Sequence, residues 1–528
     1  MSYRCQSLPR RPTKLCIVVK ATTINVLPDE ALLEIFDFVL YENERTEGWH
    51  SLVHVCRKWR DIIFGSPRRL NLRLYCTTWT PVKEMLDIWP PLPIIINGSC
   101  FSSSSVDNIV AALEHNDRIC EVKFGLGSNS LCENVLAQMQ VPFPELTALH
   151  LESKDDTVPI VPNSFLCGSA PRLRSLRLDG ILFPGLPKLL PSATGLVDLS
   201  LSNIPHSGYI APNAIVACLS TLTGLKSLSL KFQSPRSRPD PGSWCPPPAT
   251  RAVLPALTEL QFTGMSEYLE DLVARINAPL LNVLDIRFFL QLIFETPHLA
   301  QFIDRTPQLK TIDEARVVFS DSGATVSLTR RSDDKGLELG ISCRPVDWQL
   351  SSLEQVCGSC LPQALISAVE HLYILERQIL PHHQEDDTDI ENSQWLELFL
   401  PFTTVRHLYL SKESAPNVMP ALQEIVGDSA RGVLPALQHL HLEVPPICTS
   451  PVDHHREDRC RATALQTPDS RPLMGQNMTY NWPAVIDISV SIRTTFRIAY
   501  SNNSIFLTPI VWLALGLTLR DIGHAILF

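Results

Sequence analysis

Apolar residues recur along most of the chain in one short pattern: a leucine, two variable residues, a leucine, one variable residue and a third apolar residue. Six copies follow one another at intervals of 23 to 32 residues, and two more come later. The copies begin at Leu146, Leu173, Leu196, Leu225, Leu257, Leu281, Val405 and Leu437. Because the last two apolar positions alternate with variable ones, each copy predicts a strand with one buried face.

Between the copies lie amphipathic stretches with helical spacing, namely Ala214–Leu222, Ser266–Ile276, Leu299–Ile303 and Trp395–Leu400. A repeated strand–helix unit buries a continuous core only by stacking on its neighbours. The sequence therefore predicts an α/β fold, with an irregular solenoid of strand–helix repeats over residues 73–446. The alternative is a generic α/β domain whose parallel strands are rich in leucine.

Three segments interrupt this pattern. Residues 234–248 hold six prolines in fifteen positions and predict an extended or disordered insert. Residues 317–343 contain short β-runs separated by Asp-Ser-Gly and Asp-Asp-Lys-Gly, which predicts an antiparallel meander in place of one repeat. Residues 384–391 are acidic and predict a solvated loop.

Residues 23–72 predict a small helical module, preceded by a flexible segment over 1–22. Apolar residues recur at three- and four-residue steps at Leu32, Ile35, Phe36 and Val39, after Pro28 at the first helical position and two acidic residues. A second helix is predicted from about Trp49 to Phe64 and is stopped by Pro67. A core of two short helices is marginal, so the rest of the chain or a partner must cover it.

The module resembles the F-box, which docks on the small adaptor subunit of cullin–RING ubiquitin ligases. The resemblance rests on Leu27-Pro28 with Glu30, on Ile35-Phe36, and on Val55-Cys56-Arg57-x-Trp59-Arg60. It implies that the adaptor-binding residues are Leu27, Pro28, Leu32, Ile35, Phe36, Val55, Cys56, Arg57, Trp59 and Arg60. The alternative is an N-terminal helical cap on the following domain.

The leucine pattern is similar to that of fungal-type F-box proteins with degenerate leucine-rich repeats. Proline-containing starts such as Phe143-Pro144-Glu145-Leu146 add to the likeness. One departure is clear: where the family's consensus has Asn or Cys, three residues after the last leucine, this chain has Ile181 and Ile204. An asparagine ladder is therefore doubtful in this chain.

The resemblance implies a substrate-recruiting subunit of a Skp–cullin–F-box ubiquitin ligase. The module would bind a Skp-family adaptor and, through it, a cullin, while the repeats capture an unidentified protein substrate. Other subunits would transfer ubiquitin, so this chain is expected to be non-catalytic and to need no cofactor. The alternative is a protein-interaction scaffold that does not support ubiquitination.

If the copies are strands of a curved solenoid, the residues between the leucines face its concave side. We expect substrate-facing positions at Arg177, Asp198, Glu259, Asp285, Arg287, His407, Tyr409, His439 and His441. Their mixed signs favour a protein surface over a polyanion.

Composition narrows the classes of function. A net charge of −10 and a pI near 5.9 argue against a general nucleic-acid binder. The fifteen cysteines are odd in number and show no disulfide framework, and Leu15–Val19 is too short for a secretory signal. We expect reduced thiols in a cytoplasmic or nuclear protein. The apolar stretch Ile505–Leu519 is short for a membrane span and contains Pro509, so no membrane association is expected.

Candidate chemistry is sparse. Cys357 and Cys360 form a Cys-x-x-Cys on a predicted helix, which leaves a thiol or zinc enzyme as a third hypothesis, but no second ligand pair follows at zinc spacing. The groups His382-His383 and Cys448/His454/His455/Cys460 also lack ligand spacing, so no metal site is predicted. No phosphate-binding loop or nucleophile elbow occurs.

After about Pro446 the leucine pattern ends. Residues 447–528 are expected to form an atypical and poorly ordered tail, and the alternative is an apolar C-terminal segment packed on the last repeat.

Overall fold

The computed structural model describes residues 27–42, 52–65, 72–89, 91–127, 130–153, 158–239, 250–291, 293–310, 312–330, 333–376, 391–426, 432–442 and 487–488. The chain divides into two compact units, Met1–Leu72 with Thr494–Phe528, and Arg73–Arg493. The predicted segment 1–22 lies outside the described residues, as do 240–248 of the proline-rich insert, 384–390 of the acidic loop and all of 447–528 except Asp487–Ile488.

The first unit contains two described helices, α1 (Asp29–Glu42) and α2 (Arg57–Gly65). The carbonyl oxygen of Pro28 accepts the first helical bond from the Leu32 amide at 3.1 Å, so Pro28 caps α1 and does not lie inside its first turn. Phe36 of α1 packs on Trp59 of α2 with ring centroids 4.7 Å apart. These buried rings form the centre of the contact between the helices.

The predicted second helix, Trp49–Phe64, is interrupted. Residues 52–53 form a helical turn, the chain then turns at residues 54–55, and α2 begins at Arg57. The break has a local cause, because the Val55 amide bonds the Leu52 carbonyl in a tight turn and the Cys56 carbonyl starts α2 by accepting from Arg60. Residues 49–51 of the prediction lie outside the described part of the chain.

The second unit is built on one large sheet. In chain order its strands are β1 (Leu72–Cys76), β2 (Ile94–Ser99), β3 (Ile119–Leu126), β4 (Ala148–Ser153), β5 (Ser175–Asp179), β6 (Asp198–Ile204), β7 (Ser227–Phe232), β9 (Glu259–Gly264), β11 (Val283–Phe289), β12 (Glu314–Ser320), β13 (Gly323–Arg330), β14 (Asp333–Ser342), β15 (His371–Glu376), β16 (His407–Leu410), β17 (His439–Leu442) and β18 (Asp487–Ile488). A separate two-stranded sheet pairs β8 (Ala252–Val253) with β10 (Ile276–Asn277).

Eleven further helices lie in the second unit among the described residues. They are α3 (Val82–Ile88), α4 (Ser103–Leu113), α5 (Ser130–Gln138), α6 (Leu186–Leu189), α7 (Pro212–Leu219), α8 (Ser266–Arg275), α9 (Pro297–Arg305), α10 (Val346–Ser359), α11 (Gln363–Ile366), α12 (Asn392–Phe399) and α13 (Ala415–Val426). The four helices predicted between leucine copies are confirmed as α7, α8, α9 and α12. Helices α3, α4 and α5 pack in succession, as do α6 to α9, and α12 contacts both α10 and α13.

The leucine copies form the strands of this sheet because their local geometry repeats. At Leu173 and Leu196 the amide bonds the carbonyl three residues earlier, at 3.1 and 3.0 Å, which turns the chain into the next strand. In β5 and β11, for example, the apolar leucine-pattern positions are buried and the intervening ones are half-buried or exposed. One face of the sheet therefore carries the core, and we call the other the open face. The prediction of an α/β fold is confirmed as a large, mostly parallel sheet with helices.

An antiparallel region of the sheet comprises β12, β13 and β14. The order across this region is β11-β14-β13-β12-β15, with β14 parallel to β11 and β12 parallel to β15. Within this region β13 thus runs antiparallel to both of its neighbours, and parallel pairing resumes on each side. Gly323, the first residue of β13, permits the close approach of β14, because a Cβ there would lie 2.0 Å from the Ile341 carbonyl oxygen.

Helices α8 and α9 cap one another. Both carboxylate oxygens of Glu270 on α8 accept backbone N–H groups at the start of α9, from Leu299 at 2.6 Å and His298 at 2.9 Å. In return, the Arg305 guanidinium at the end of α9 donates to the carbonyls of Val273 and Ile276 at 2.6 and 2.8 Å. Each charge meets the helix end of opposite polarity, which stabilises both termini.

Among the described residues, no helix combines the length and apolar character needed to cross a bilayer.

Replacing Glu270 with Gln should destabilise the second unit. The amide would keep one acceptor oxygen but point an NH₂ group at a second backbone N–H, leaving a buried donor unpaired at a cost of about 1–3 kcal/mol. Thermal unfolding of the full chain should show a lower melting temperature. Glu267→Gln, at an exposed position on the same helix, is the matched control. Equal melting temperatures for the two variants would contradict this role for Glu270.

Candidate functional site

The ten predicted adaptor-binding residues fall into three groups in the described structure. Leu32, Phe36 and Trp59 are buried. Leu27 and Cys56 are half-buried. Exposed side chains belong to Pro28, Ile35, Val55, Arg57 and Arg60. Fewer apolar side chains are available to a partner than the sequence predicted. The rotation of α1 turns Phe36 inward and leaves Ile35 36% exposed. Val55, in the turn before α2, is 54% exposed.

Two basic residues of α2 fix the shape of this surface. The Lys58 ammonium donates to the Leu27 carbonyl at 3.1 Å and lies 3.3 Å from an Asp29 carboxylate oxygen, which ties α2 to the start of α1. The Arg60 Nε donates to the Val53 carbonyl at 3.1 Å and closes the turn before α2. Arg60, predicted as a docking contact, therefore has a local role as well. Arg57 is exposed and lies 4.0 Å from Asp61, a contact too weak to fix its position.

On the open face, strand register places polar residues in rows that cross the sheet. The longest row runs from β3 to β17 through Lys123, His150, Arg177, Ser200, Ser229, Gln261, Asp285, Glu338, Ser327, Arg316, Tyr373, Tyr409 and His441. Four of the nine predicted substrate-facing residues lie in it. Asp198 and Glu259 share a second row, His407 and His439 share a third, and Arg287 follows Asp285 on β11.

The middle of the open face is acidic and internally bonded. Glu259 accepts from the Gln261 amide at 2.7 Å and from the Ser227 hydroxyl at 3.3 Å. Burial raises the pKa of the Asp285 carboxyl, and Glu259 adds to this effect, while Lys231 and Arg287 oppose it. The Glu259 carboxylate is therefore already engaged by neighbouring side chains of the open face.

At β15–β17 the open face changes character. Here six rings stand side by side in two rows: His371, His407 and His439 in one, and Tyr373, Tyr409 and His441 in the other. We call these six residues the histidine–tyrosine ladder. Ring centroids along the rows are 4.3 to 4.7 Å apart and the planes are tilted by only 7° to 14°. Cross-strand aromatic pairs of this kind stabilise a sheet and hold the side chains in place.

The two rows also contact each other diagonally. His407 Nδ1 lies 3.5 Å from His441 Nε2, and the Tyr409 hydroxyl lies 3.5 Å from His371 Nδ1. At the β12 end, the Arg316 guanidinium lies 5.5 Å from the Tyr373 ring centroid and bonds the buried Glu314 carboxylate at 2.6 Å. The Glu314 carboxylate at this end is therefore paired with Arg316.

Burial and two neighbouring histidines decide the charge of His441. Burial lowers its pKa from the ordinary value of 6.5, and His439 and His371 lower it further because they disfavour a second positive charge. The ladder thus holds His441 in its neutral form near pH 7.

The sequence predicted four members of the ladder and missed His371 and Tyr373. The signal was present, because Val369-x-x-Leu372-x-Ile374 repeats the leucine pattern with β-branched residues at two positions. β3 was missed for the same reason, because its copy of the pattern, Ile119-x-x-Val122-x-Phe124, contains no leucine at the three apolar positions. Requiring leucine was too strict, since any large apolar side chain fills the same buried position.

The cysteine pair offers poor conditions for chemistry. Cys357 lies on α10 and Cys360 caps its end, and both are buried. Burial raises the pKa of Cys360 to about 12 even though the Thr296 hydroxyl donates to its sulfur at 3.1 Å, and burial also raises the pKa of Cys357. Thiolates, the reactive and metal-binding form, are therefore disfavoured at both positions. The candidate groups at 382–387 and 448–460 lie outside the described residues.

An apolar cavity lies between the sheet and α7–α8, lined among others by Phe232 and Tyr268. Its volume is about 30 Å³, enough for roughly one water molecule and too small for a substrate. Among the described residues, no cluster of three or more His, Cys, Asp or Glu side chains has a geometry that could hold a metal ion.

Replacing His441 with Phe should reduce the acid sensitivity of the fold. Because the folded state lowers the pKa of His441, the unfolded chain takes up a proton more readily, and stability falls as the pH drops below 6.5. Phenylalanine keeps a stacked ring and removes this titration. Melting temperatures measured between about pH 7.5 and pH 5 should fall less steeply for the variant. His54→Phe, in the first unit, controls for the substitution itself, and parallel curves for wild type and His441→Phe would contradict the role of His441.

Native alkylation should separate the thiols by burial. Iodoacetamide at about pH 8 should modify the exposed Cys167 much faster than Cys357 or Cys360, because only thiolates react and burial suppresses them. Peptide mass spectrometry after short exposures measures each site, and unfolded protein provides the control for intrinsic reactivity. Rapid labelling of the native Cys357–Cys360 pair would instead favour the thiol-enzyme hypothesis.

Compared with models of known protein families and with curated proteins, the chain matches none.

Proposed function

We propose that this chain is the substrate-recruiting F-box subunit of a Skp–cullin–F-box ubiquitin ligase. Residues 27–60 bind the Skp-family adaptor, which connects the chain to the cullin. The strand–helix repeats of the second unit act as a degenerate leucine-rich-repeat solenoid that captures a protein substrate. The chain itself supplies proximity and orientation, while other subunits make and break bonds.

The observation that carries the proposal is the exposed apolar surface of the helical module. The core of the module contains Phe36 and Trp59. The side chains that remain exposed include Pro28, Ile35 and Val55. Exposed apolar residues accompanied by polar ones such as Arg57 are typical of a protein-binding surface. Single exposed apolar residues need no explanation, and what distinguishes these three is that they belong to a segment whose sequence resembles the F-box.

The open face of the sheet supports the substrate half of the proposal. Nine predicted substrate-facing positions are all half-buried or exposed on the strands that carry them. A sheet with helices on one side leaves a wide, ordered polar surface on the other, and such surfaces suit extended protein partners. The mixture of acidic, basic and aromatic side chains there fits a protein better than a polyanion.

The competing function, a scaffold that does not support ubiquitination, makes a different biochemical prediction. A scaffold would be purified without a cullin, or with the adaptor alone. A ligase subunit brings down the adaptor and cullin together, and both depend on the same apolar residues of the module.

Substituting Ile35→Asp and Val55→Asp together should abolish co-purification of the adaptor and cullin from cells expressing the tagged chain. Burying two carboxylates in an apolar contact costs several kcal/mol, so recovery should fall at least ~10-fold. Leu27→Ala with Pro28→Ala should have the same effect through the start of α1. Quantitative mass spectrometry of the eluates measures recovery.

Ile88→Asp is the matched control, because Ile88 is an exposed isoleucine on α3 in the second unit. It should leave recovery of the adaptor and cullin unchanged. Circular dichroism and melting curves identify any variant that fails to fold. The proposal is wrong if adaptor recovery is zero for wild type, or equal for wild type and the folded Ile35→Asp/Val55→Asp protein.

A further inference from the structure

The stacking of the histidine–tyrosine ladder decides which part of each ring a ligand can reach. Both faces of His407 are covered, by His371 at 4.6 Å and His439 at 4.7 Å between centroids. Tyr409 lies in the same way between Tyr373 and His441, at 4.3 and 4.4 Å. A ligand approaching the open face therefore meets the edges of these rings, not their π-faces.

Ring edges select for negative charge. The edge of an aromatic ring carries the positive end of its quadrupole, and imidazole edges also carry N–H donors. The six ladder residues are four histidines and two tyrosines, and the acidic residue beside the rows on the β17 side is Asp487 of β18, at the register position of His439. The nearest acid of β12, Glu314, is buried and bonded to Arg316. The ladder is thus a region rich in hydrogen-bond donors, although the chain as a whole has a net charge of −10.

We propose that the histidine–tyrosine ladder binds an acidic segment, rich in Asp and Glu, of a partner protein. The inference rests on the proposed function for the role of that partner, which is the substrate. Carboxylates of the segment contact the ring edges of His439 and His441 and of the neighbouring ladder residues. The outer histidine centroids of one row are roughly 9 Å apart, which matches about three residues of extended chain.

The geometry disfavours two other ligands. Single-stranded nucleic acid binds by stacking bases on exposed aromatic faces, and the faces of His407 and Tyr409 are already covered. A metal ion needs three or four converging ligands. Although His407 Nδ1 and His441 Nε2 lie 3.5 Å apart, no group of three or more His, Cys, Asp or Glu among the described residues could hold one.

Binding of an acidic segment is coupled to protonation of the ladder. Carboxylates favour the charged imidazole, so binding should take up protons and tighten as the pH falls. The groups that surround His441 and His439 are Arg316 and Glu314 on β12, His371 and Tyr373 on β15, and His407 and Tyr409 on β16. On β18, Asp487 shares the register position of His439.

The test uses the purified full chain and fluorescein-labelled peptides in anisotropy titrations. One peptide contains a run of Asp and Glu, and its partner has the same sequence with Asn and Gln. The acidic peptide should bind at least ~10-fold more tightly than the neutral one, and more tightly at about pH 6 than at pH 7.5. His439→Gln with His441→Gln should weaken binding of the acidic peptide at least ~10-fold.

His115→Gln with His206→Gln is the matched control, since these histidines lie outside the strands, and it should bind like wild type. His441→Phe keeps the stack and loses the N–H donors, so it should weaken binding and reduce its pH dependence even if the double variant fails to fold. Equal binding of the acidic and neutral peptides overturns the proposal. So does tighter binding of a single-stranded oligonucleotide or exclusive binding of a phosphorylated peptide.

The two proposals fail separately. Peptide binding by a chain that recovers no adaptor supports the ladder and rejects the ligase subunit. Adaptor recovery with no peptide binding rejects the ladder alone.

Discussion

The constraint on which the second unit depends is that no strand–helix unit can bury its own apolar side. Each leucine pattern supplies two or three large side chains, and these become buried only between the next strand and the next helix. Backbone hydrogen bonds also connect successive units. The amides of Val197 and Asp198, at the start of β6, donate to the carbonyl of Arg174, directly before β5. Stability is therefore cooperative along the row of units, and a defect in one unit exposes its neighbours.

This constraint also explains why a polar surface exists. In the described part of the chain, helices pack on the apolar side chains of the sheet, and the open face carries mostly half-buried and exposed side chains. The side chains of the open face then interact with each other across strands, as the Glu259 and Gln261 contact and the histidine–tyrosine ladder illustrate. The ladder is ordered by ring stacking together with burial, since Tyr373 is buried and the other five rings are half-buried. Rigid, partly exposed side chains lose little entropy on binding, which suits them to recognition.

The β12–β14 meander is accommodated without breaking the parallel pattern, because it adds strands in an order that restores parallel neighbours on each side. At the α8–α9 junction two charged side chains, the buried Glu270 and the half-buried Arg305, bond helix ends that would otherwise leave backbone groups unpaired. Burial raises the pKa of Glu270 and lowers that of Arg305 to about 10. Hydrogen bonds to helix termini of opposite polarity offset that cost.

The sequence by itself determined the local structure of this protein. The alternation of apolar and variable positions identified β4 to β7, β9, β11, β16 and β17 and the side of each strand that faces the core, because a strand repeats every two residues wherever it lies. It also identified α7, α8, α9 and α12 and four of the six ladder residues. Only the tertiary structure decided which strands are neighbours, that Ile35 and not Phe36 is exposed, and that His371 and Tyr373 complete the ladder. Strand order and helix rotation depend on contacts between residues far apart in the chain, and a local pattern carries no information about which distant segment supplies them.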